Sequence, residues 1–206
     1  MGGPTPSALP IVLASRSQAR AGILRAAGIA FTQVEAAVDE AGVREALHAE
    51  GVPVEDAAVV LAELKAAQVA GRAPHEAIVL GADQLLEVEG RWLEKPIDRS
   101  ASRRQLEELR GRRHRLVSGV VAFRGGSRIW HHVGVARLWM GGLTDAELDR
   151  YLAAAGEGVL GCVGAYQLEG LGAQLMARIE GDYFTILGLP LLPVLQMLRD
   201  QGVPLP

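Results

Sequence analysis

The chain has 206 residues, of which 49% are hydrophobic and 22% charged, with a formal net charge of −3 at pH 7. That balance supplies no global attraction to nucleic acid or to an anionic membrane, and no apolar stretch approaches the roughly 20 residues of a membrane span. A single cysteine, Cys162, excludes an internal disulfide and suits a reducing compartment, so a cytoplasmic location is expected. The opening MGGPTPSALP has neither a basic nor an apolar signal region, so no signal peptide is expected, and residues 1–9 read as a disordered leader.

An apolar run predicts a strand over 10–14, and helical spacing then takes over for 17–27, with Ser17 at the N-cap. A β-like segment follows over 31–38. Residues 55–70 predict an amphipathic helix whose apolar positions include Val59, Leu61 and Leu64. Strands are expected over 77–81, 84–88 and 91–93, the last two joined by a tight turn at Glu89-Gly90. Then come a helix over 100–110, a long hairpin of 116–123 and 129–138, and a helix opened by the capping box Thr144-Asp145-Ala146-Glu147. Residues 174–179 and 183–186 read as strands, and a helix over 190–199 starts with proline in its first position. The class is α/β or α+β with a mixed sheet. Residues 10–206 read as one domain, with 115–165 as a second lobe.

Several stretches carry candidate chemistry. In LASRSQAR, residues 13–20, Arg20 falls in a first helical turn that already holds about half a positive charge. Two readings are open: a serine cap beside solvated arginines, or an anion site where Ser15, Ser17, helix N–H groups and Arg20 meet a phosphate. VLGADQ, residues 79–84, ends an apolar strand in Asp83, where α/β folds open ligand clefts. The turn after it can return Lys95 of Glu94-Lys95-Pro96 towards Asp83. Val38-Asp39-Glu40 offers carboxylates, either solvated or available as hard oxygen ligands for Mg²⁺ or Mn²⁺. Lys65 lies close to the apolar face of its helix. Glu169 sits among the glycines of GAYQLEGLG, residues 164–172.

Other features are set aside. The basic run of residues 110–115 has no nearby aromatics and reads as a solvated turn or a second phosphate contact. His131 and His132 are adjacent on a strand and face opposite ways. Cys162 reads as a small core residue.

LASRSQAR, VDE at 38–40, LAELKA at 61–66, GADQ at 81–84, EKP at 94–96, GRRH at 111–114, GAYQLEGLG and GDYFTILGLPL at 181–191 occur in the order found in one family. The chain resembles the Maf family of nucleoside triphosphate pyrophosphatases from Leu13 to about Arg199. The resemblance implies a mixed α/β fold with two lobes around a nucleotide cleft, shared with inosine triphosphate pyrophosphatases. It implies hydrolysis of a nucleoside triphosphate to the monophosphate and pyrophosphate with a divalent metal, Mg²⁺ or Mn²⁺. Carried over by position, Asp83 is the general base, Glu40 a metal-linked carboxylate beside it, and Ser15, Ser17, Arg20, Lys65 and Lys95 hold the triphosphate. The expected partner is that nucleotide, with no nucleic acid and no membrane, and a homodimer is the one assembly considered.

Three stretches depart from the family pattern: Gln18 replaces its usual proline, Ala19 stands where Arg or a large aromatic is common, and Gly161-Cys162-Val163 replaces a block that often reads D-K-A. Substrate choice rests on Ala19, Gln84 and Glu169. Gln84 and Glu169 match the 7-methyl-GTP branch of the family, and Ala19 matches neither branch. The alternatives are a dTTP/UTP pyrophosphatase and a nucleotide-binding division regulator with little turnover.

Overall fold

The computed structural model describes residues 9–204. The stretch read as a leader lies, but for Leu9, outside them. β1 (Ile11–Ala14) is buried at all four positions, as an apolar run with parallel neighbours on both sides must be. Those neighbours are β2 (Thr32–Val34) and β3 (Ile78–Val88). β5 (Arg113–Arg124), β6 (Ser127–Met140) and β7 (Met176–Glu180) extend the sheet antiparallel, in the order β2-β1-β3-β5-β6-β7. β4 (Arg91–Leu93) folds back on β3 through Glu89 and Gly90, both at positive φ.

The strands expected over 77–81 and 84–88 are therefore one strand, and Asp83 lies near its middle, not at its end. What opens the sheet there is the neighbours. β1 stops opposite Gly81 and β4 begins opposite Leu86, so Ala82 to Leu85 have no ladder partner on that side.

α1 (Gln18–Ala26) starts as expected at Ser17, whose hydroxyl accepts the Arg20 N–H at 3.3 Å. α3 (Val54–Ala70) buries Val54, Ala57, Ala58, Leu61, Ala62, Lys65, Ala66 and Val69, a stripe at three- and four-residue spacing. Leu64, read as part of the apolar face, is 38% exposed, while Lys65 beside it is 5% exposed. The helix is apolar nearly all round, so its periodicity alone did not select the buried face.

Glycine lets α3 come down onto the sheet. A Cβ at Gly81 would stand 2.1 Å from the Ala62 carbonyl oxygen, and one at Gly119 would stand 2.5 Å from the Ala58 carbonyl. That approach brings Lys65 within reach of Asp83.

The remaining helices are α2 (Glu40–Ala49), α4 (Arg99–Leu109), α5 (Asp145–Ala155), α6 (Tyr183–Ile186) and α7 (Leu191–Asp200). The capping box at Thr144 and Glu147 is present. Two expectations are corrected. The β-like segment over 31–38 is a strand only at Thr32–Val34, and Asp39 instead caps a helix by accepting the Gly42 N–H at 3.1 Å. Residues 183–186, β-prone in composition, form one helical turn because the Asp182 carboxylate accepts the Thr185 N–H at 2.7 Å.

Apolar side chains gather in two main clusters. One joins Leu13, Leu24, Leu80, Leu189 and Val194; the other joins Leu86, Leu106, Leu138, Leu148 and Tyr166.

Candidate active site

A cavity of about 490 Å³ opens beside the unpartnered edge of β3. All ten residues singled out from the sequence line it: Ser15, Ser17, Ala19, Arg20, Glu40, Lys65, Asp83, Gln84, Lys95 and Glu169.

Its floor is Asp83, 4% exposed. Asp83 Oδ1 accepts from Lys65 Nζ at 2.5 Å, and the same ammonium lies 2.8 Å from Glu40 Oε2. Asp83 Oδ2 is buried and has no hydrogen-bond partner. A buried carboxylate oxygen left bare is costly, so its place at a cavity wall marks a group held ready for a ligand. Burial works to raise the Glu40 pKa, but the Lys65 hydrogen bond and the charges of Lys65, Arg20 and Arg44 outweigh it and hold Glu40 below the usual carboxylate range.

Arg20 is buried and answers the local problem created by the sheet opening. Its Nη1 donates to the freed Ala82 carbonyl at 2.9 Å and to Ser15 Oγ at 3.1 Å, and its Nε donates to the Gly188 carbonyl at 2.8 Å. Nη2 is the group left for a ligand. Burial lowers the Arg20 pKa, while Asp83 and Glu40 act to raise it. Ser15 Oγ also accepts the Ser17 N–H at 3.2 Å, so its own proton remains free to donate. Arg16, by contrast, is exposed and pairs with Glu35 at 3.2 Å.

Lys95 reaches the cavity on the strap that follows β4, as the Glu89-Gly90 turn predicted. Desolvation lowers its pKa, and the Arg20 cation lowers it further. Gln84 is fixed by two carbonyls that can only accept: its Nε2 donates to Thr185 O at 2.9 Å and Ile186 O at 3.0 Å, and also to Ser118 Oγ at 3.0 Å. That leaves its Oε1 as the free end.

Glu40 and Asp83 are the hard oxygen donors. Among the described residues no three His, Cys, Asp or Glu side chains converge as a metal cage. Two carboxylates at the wall of a cavity that also holds Arg20 and Lys95 match the way Mg²⁺ is usually held, through few protein ligands and the phosphates of its substrate. The residues present therefore fit such an ion.

Sequence reasoning missed three contributors. Arg44 of α2 lines the cavity and pairs with Glu94 at 2.8 Å, anchoring the lysine strap. Gln105 of α4 donates to the Glu94 carbonyl at 2.6 Å and accepts the Gly164 N–H at 3.0 Å, tying that strap to the loop that carries Glu169. Gly188, within the GDYFTILGLPL block, supplies the carbonyl that holds Arg20. The signal for the first was present: Asp39 followed by Val43 and Leu47 at helical spacing. Cys162, expected in the core, is half-buried and borders the cavity.

The basic run of 110–115 plays no part in the cavity wall. Arg110 pairs with Asp145 at 2.6 Å, Arg112 with Glu89 at 2.7 Å, and Arg115 with Glu55 and Glu87, each at 2.7 Å. His114, in the same run, is buried with its Nε2 at 2.7 Å from the Tyr166 hydroxyl. Burial pushes its pKa down to about 4, against a weaker opposing effect of the Arg112 backbone.

Comparison with known proteins agrees over nearly the whole length. A nucleoside triphosphate pyrophosphatase of Paramagnetospirillum magneticum is 52% identical over 191 residues, covering 93% of this chain and 98% of the relative. A 7-methyl-GTP pyrophosphatase of Brucella abortus is 45% identical, covering 93% of this chain and 96% of the relative. One of the same name from Rhizobium meliloti is 46% identical over 93% and 96%. The family described as Maf-like protein matches residues 10–201, and the chain belongs to that family.

Proposed function

We propose that this chain hydrolyses a nucleoside triphosphate to the monophosphate and pyrophosphate, with 7-methyl-GTP as its best substrate. The observation that carries the reading is the pairing at the cavity floor: a bare Asp83 Oδ2 beside Lys65, with Arg20, Ser15 and Lys95 facing the same space. The names of the relatives point the same way.

In the proposed reaction, a water oxygen bonds to the α-phosphorus while the bond to the bridging oxygen of the β-phosphate breaks. Asp83 Oδ2 accepts the water's proton, because Oδ1 is already engaged. Arg20 Nη2, the Ser15 hydroxyl, Ser17 and Lys95 bind the phosphate oxygens and balance their charge, which is most of what phosphoryl transfer requires. Glu40 and Asp83 would hold a divalent ion, Mg²⁺ or Mn²⁺, which when bound supplies charge neutralisation and a more acidic water. Residues 115–165 are proposed as the second lobe of the nucleotide cleft, in a cytoplasmic enzyme.

The substrate choice follows from donors and acceptors. Ionised Glu169 is an acceptor, and Gln84 presents its carbonyl because its NH₂ is held by the Thr185 and Ile186 carbonyls. Two acceptors suit the adjacent N–H donors of a guanine edge. The carboxylate also favours the positive charge that N7 methylation adds. Ala19 leaves room for a purine.

A panel of triphosphates assayed for pyrophosphate release with Mg²⁺ or Mn²⁺ tests the reading. Preference for 7-methyl-GTP over dTTP and UTP is expected. Glu169→Gln should move that ratio towards the pyrimidines by on the order of 10-fold or more, since mismatched buried polar edges discriminate strongly. A wild type that prefers dTTP or UTP overturns the substrate but not the reaction. No release from any triphosphate would favour the regulator.

A further inference from the structure

The chain has 21 cationic residues, and only two of them, Lys65 and Lys95, are lysines. Both line the cavity. Every other fixed cation is an arginine, whose planar fork suits lasting pairs, whereas an ammonium is a compact point charge on a flexible stem. Lys65 is 5% exposed and sits between two carboxylates, 2.5 Å from Asp83 and 2.8 Å from Glu40. Those are the only two hard-oxygen side chains that the proposed reaction gives a divalent ion, so one ammonium holds the space between both donors.

We infer that Lys65 is a resident counter-ion that a divalent metal must displace. Taking a metal from solution alone breaks two short charge-assisted contacts and strands a buried ammonium, so metal alone binds poorly. A triphosphate arriving with the metal gives the displaced ammonium new oxygens to meet. The two ligands therefore load together. This goes beyond the functional reading and rests on it only for the identity of the two carboxylates.

The test needs no nucleotide and no turnover. Mn²⁺ binding to the isolated protein is followed by electron paramagnetic resonance. Lys65→Met should bind Mn²⁺ on the order of 10-fold or more tighter than wild type, because both carboxylates lose their competing partner. Lys65→Arg, which keeps a cation, should not. In wild type, amine acylation read by mass spectrometry should leave Lys65 unlabelled without metal and labelled at the Mn²⁺ concentration that electron paramagnetic resonance shows to fill the site, with Lys95 as the internal reference. A Lys65→Met affinity within about twofold of wild type, or equal tightening in Lys65→Arg, overturns the inference. So does Lys65 labelling that ignores Mn²⁺, and this arm decides alone if the methionine variant does not fold. An enzyme inactive on every triphosphate that still passes these tests loses only the proposed reaction.

Discussion

α3 and α2 face one cavity and are held there by different forces. α3 buries eight side chains and rests on the sheet through the space left at Gly81 and Gly119. α2 buries none fully; Val43 and Leu47 only lean against the cluster around Leu61. Its other ties are two ion pairs, Glu40 to Lys65 and Arg44 to Glu94, and the His48 ring, edge-on to Trp92 and 3.2 Å from the Gly90 carbonyl. Apolar contact is indifferent to salt, whereas partly exposed ion pairs weaken with it. The wall bearing Asp83 and Lys65 is therefore fixed, and the wall bearing Glu40 can yield to a change in charge.

The fixed wall should show the largest effects. Asp83→Asn should keep the fold and lower turnover on the order of 10²–10⁴-fold, the usual weight of a general base. Steady-state kinetics on the best triphosphate reads it, and a near wild-type rate would remove Asp83 from that role. Next comes His114 beneath Tyr166. Its folded pKa of about 4 lies below the 6.5 of an unfolded histidine, so between those values the unfolded chain binds the extra proton. Stability from this group is full above pH 6.5 and falls as pH drops towards 4, by about 3 kcal/mol in all. Denaturant melts of wild type and His114→Gln across that window should diverge in slope; parallel curves would contradict the burial of a neutral imidazole.

Gly81→Ala should cost about 1–3 kcal/mol, the range for overpacking a well-filled core, and should also lower activity by lifting Lys65 from Asp83. An unchanged melting temperature would mean that α3 is not seated as described. Smallest is the yielding wall. Arg44→Met should cost no more than about 1 kcal/mol in stability, yet raise KM a few-fold by freeing the strap that carries Lys95. Raising salt should raise KM in both, because it screens the phosphate contacts, but by a larger factor in wild type, where it also loosens the Arg44–Glu94 pair. If salt moves both alike, α2 is not held by charge.

The same contrast explains what the residues revealed in advance. β1, α1 with its Ser17 cap, the Glu89-Gly90 turn and the Thr144 box follow from short-range rules and are present as read. The ten site positions came from residue motifs, and they meet in one cavity because those motifs fall at element ends, in adjoining loops and at the sheet opening, with Lys65 on the buried face of α3. α2 went unread because Val43 and Leu47 make only a short apolar stripe on a helix that buries no residue fully. Residues 183–186 misled because a single carboxylate, Asp182, overrode the β preference of four side chains. Lys65 was placed beside the apolar face rather than on it, since α3 is apolar nearly all round and only tertiary packing chose which side to bury. Gln105 and Gly188 act through backbone groups distant in sequence, which no local pattern records.

The opening in the sheet also works as a ruler. Four residues of β3, from Ala82 to Leu85, lie between the last rung with β1 and the first rung with β4, roughly 13 Å of strand at about 3.3 Å per residue. Its length is set by where two neighbours stop, not by anything in the strand that carries Asp83. One residue inserted into the β3–β4 hairpin would slide Lys95 by about 3.3 Å along that scale and turn alternate side chains to the opposite face. In the proposed reaction, turn length here would therefore be a gauge of reach across the phosphate chain, adjustable without substituting a residue of the cavity wall.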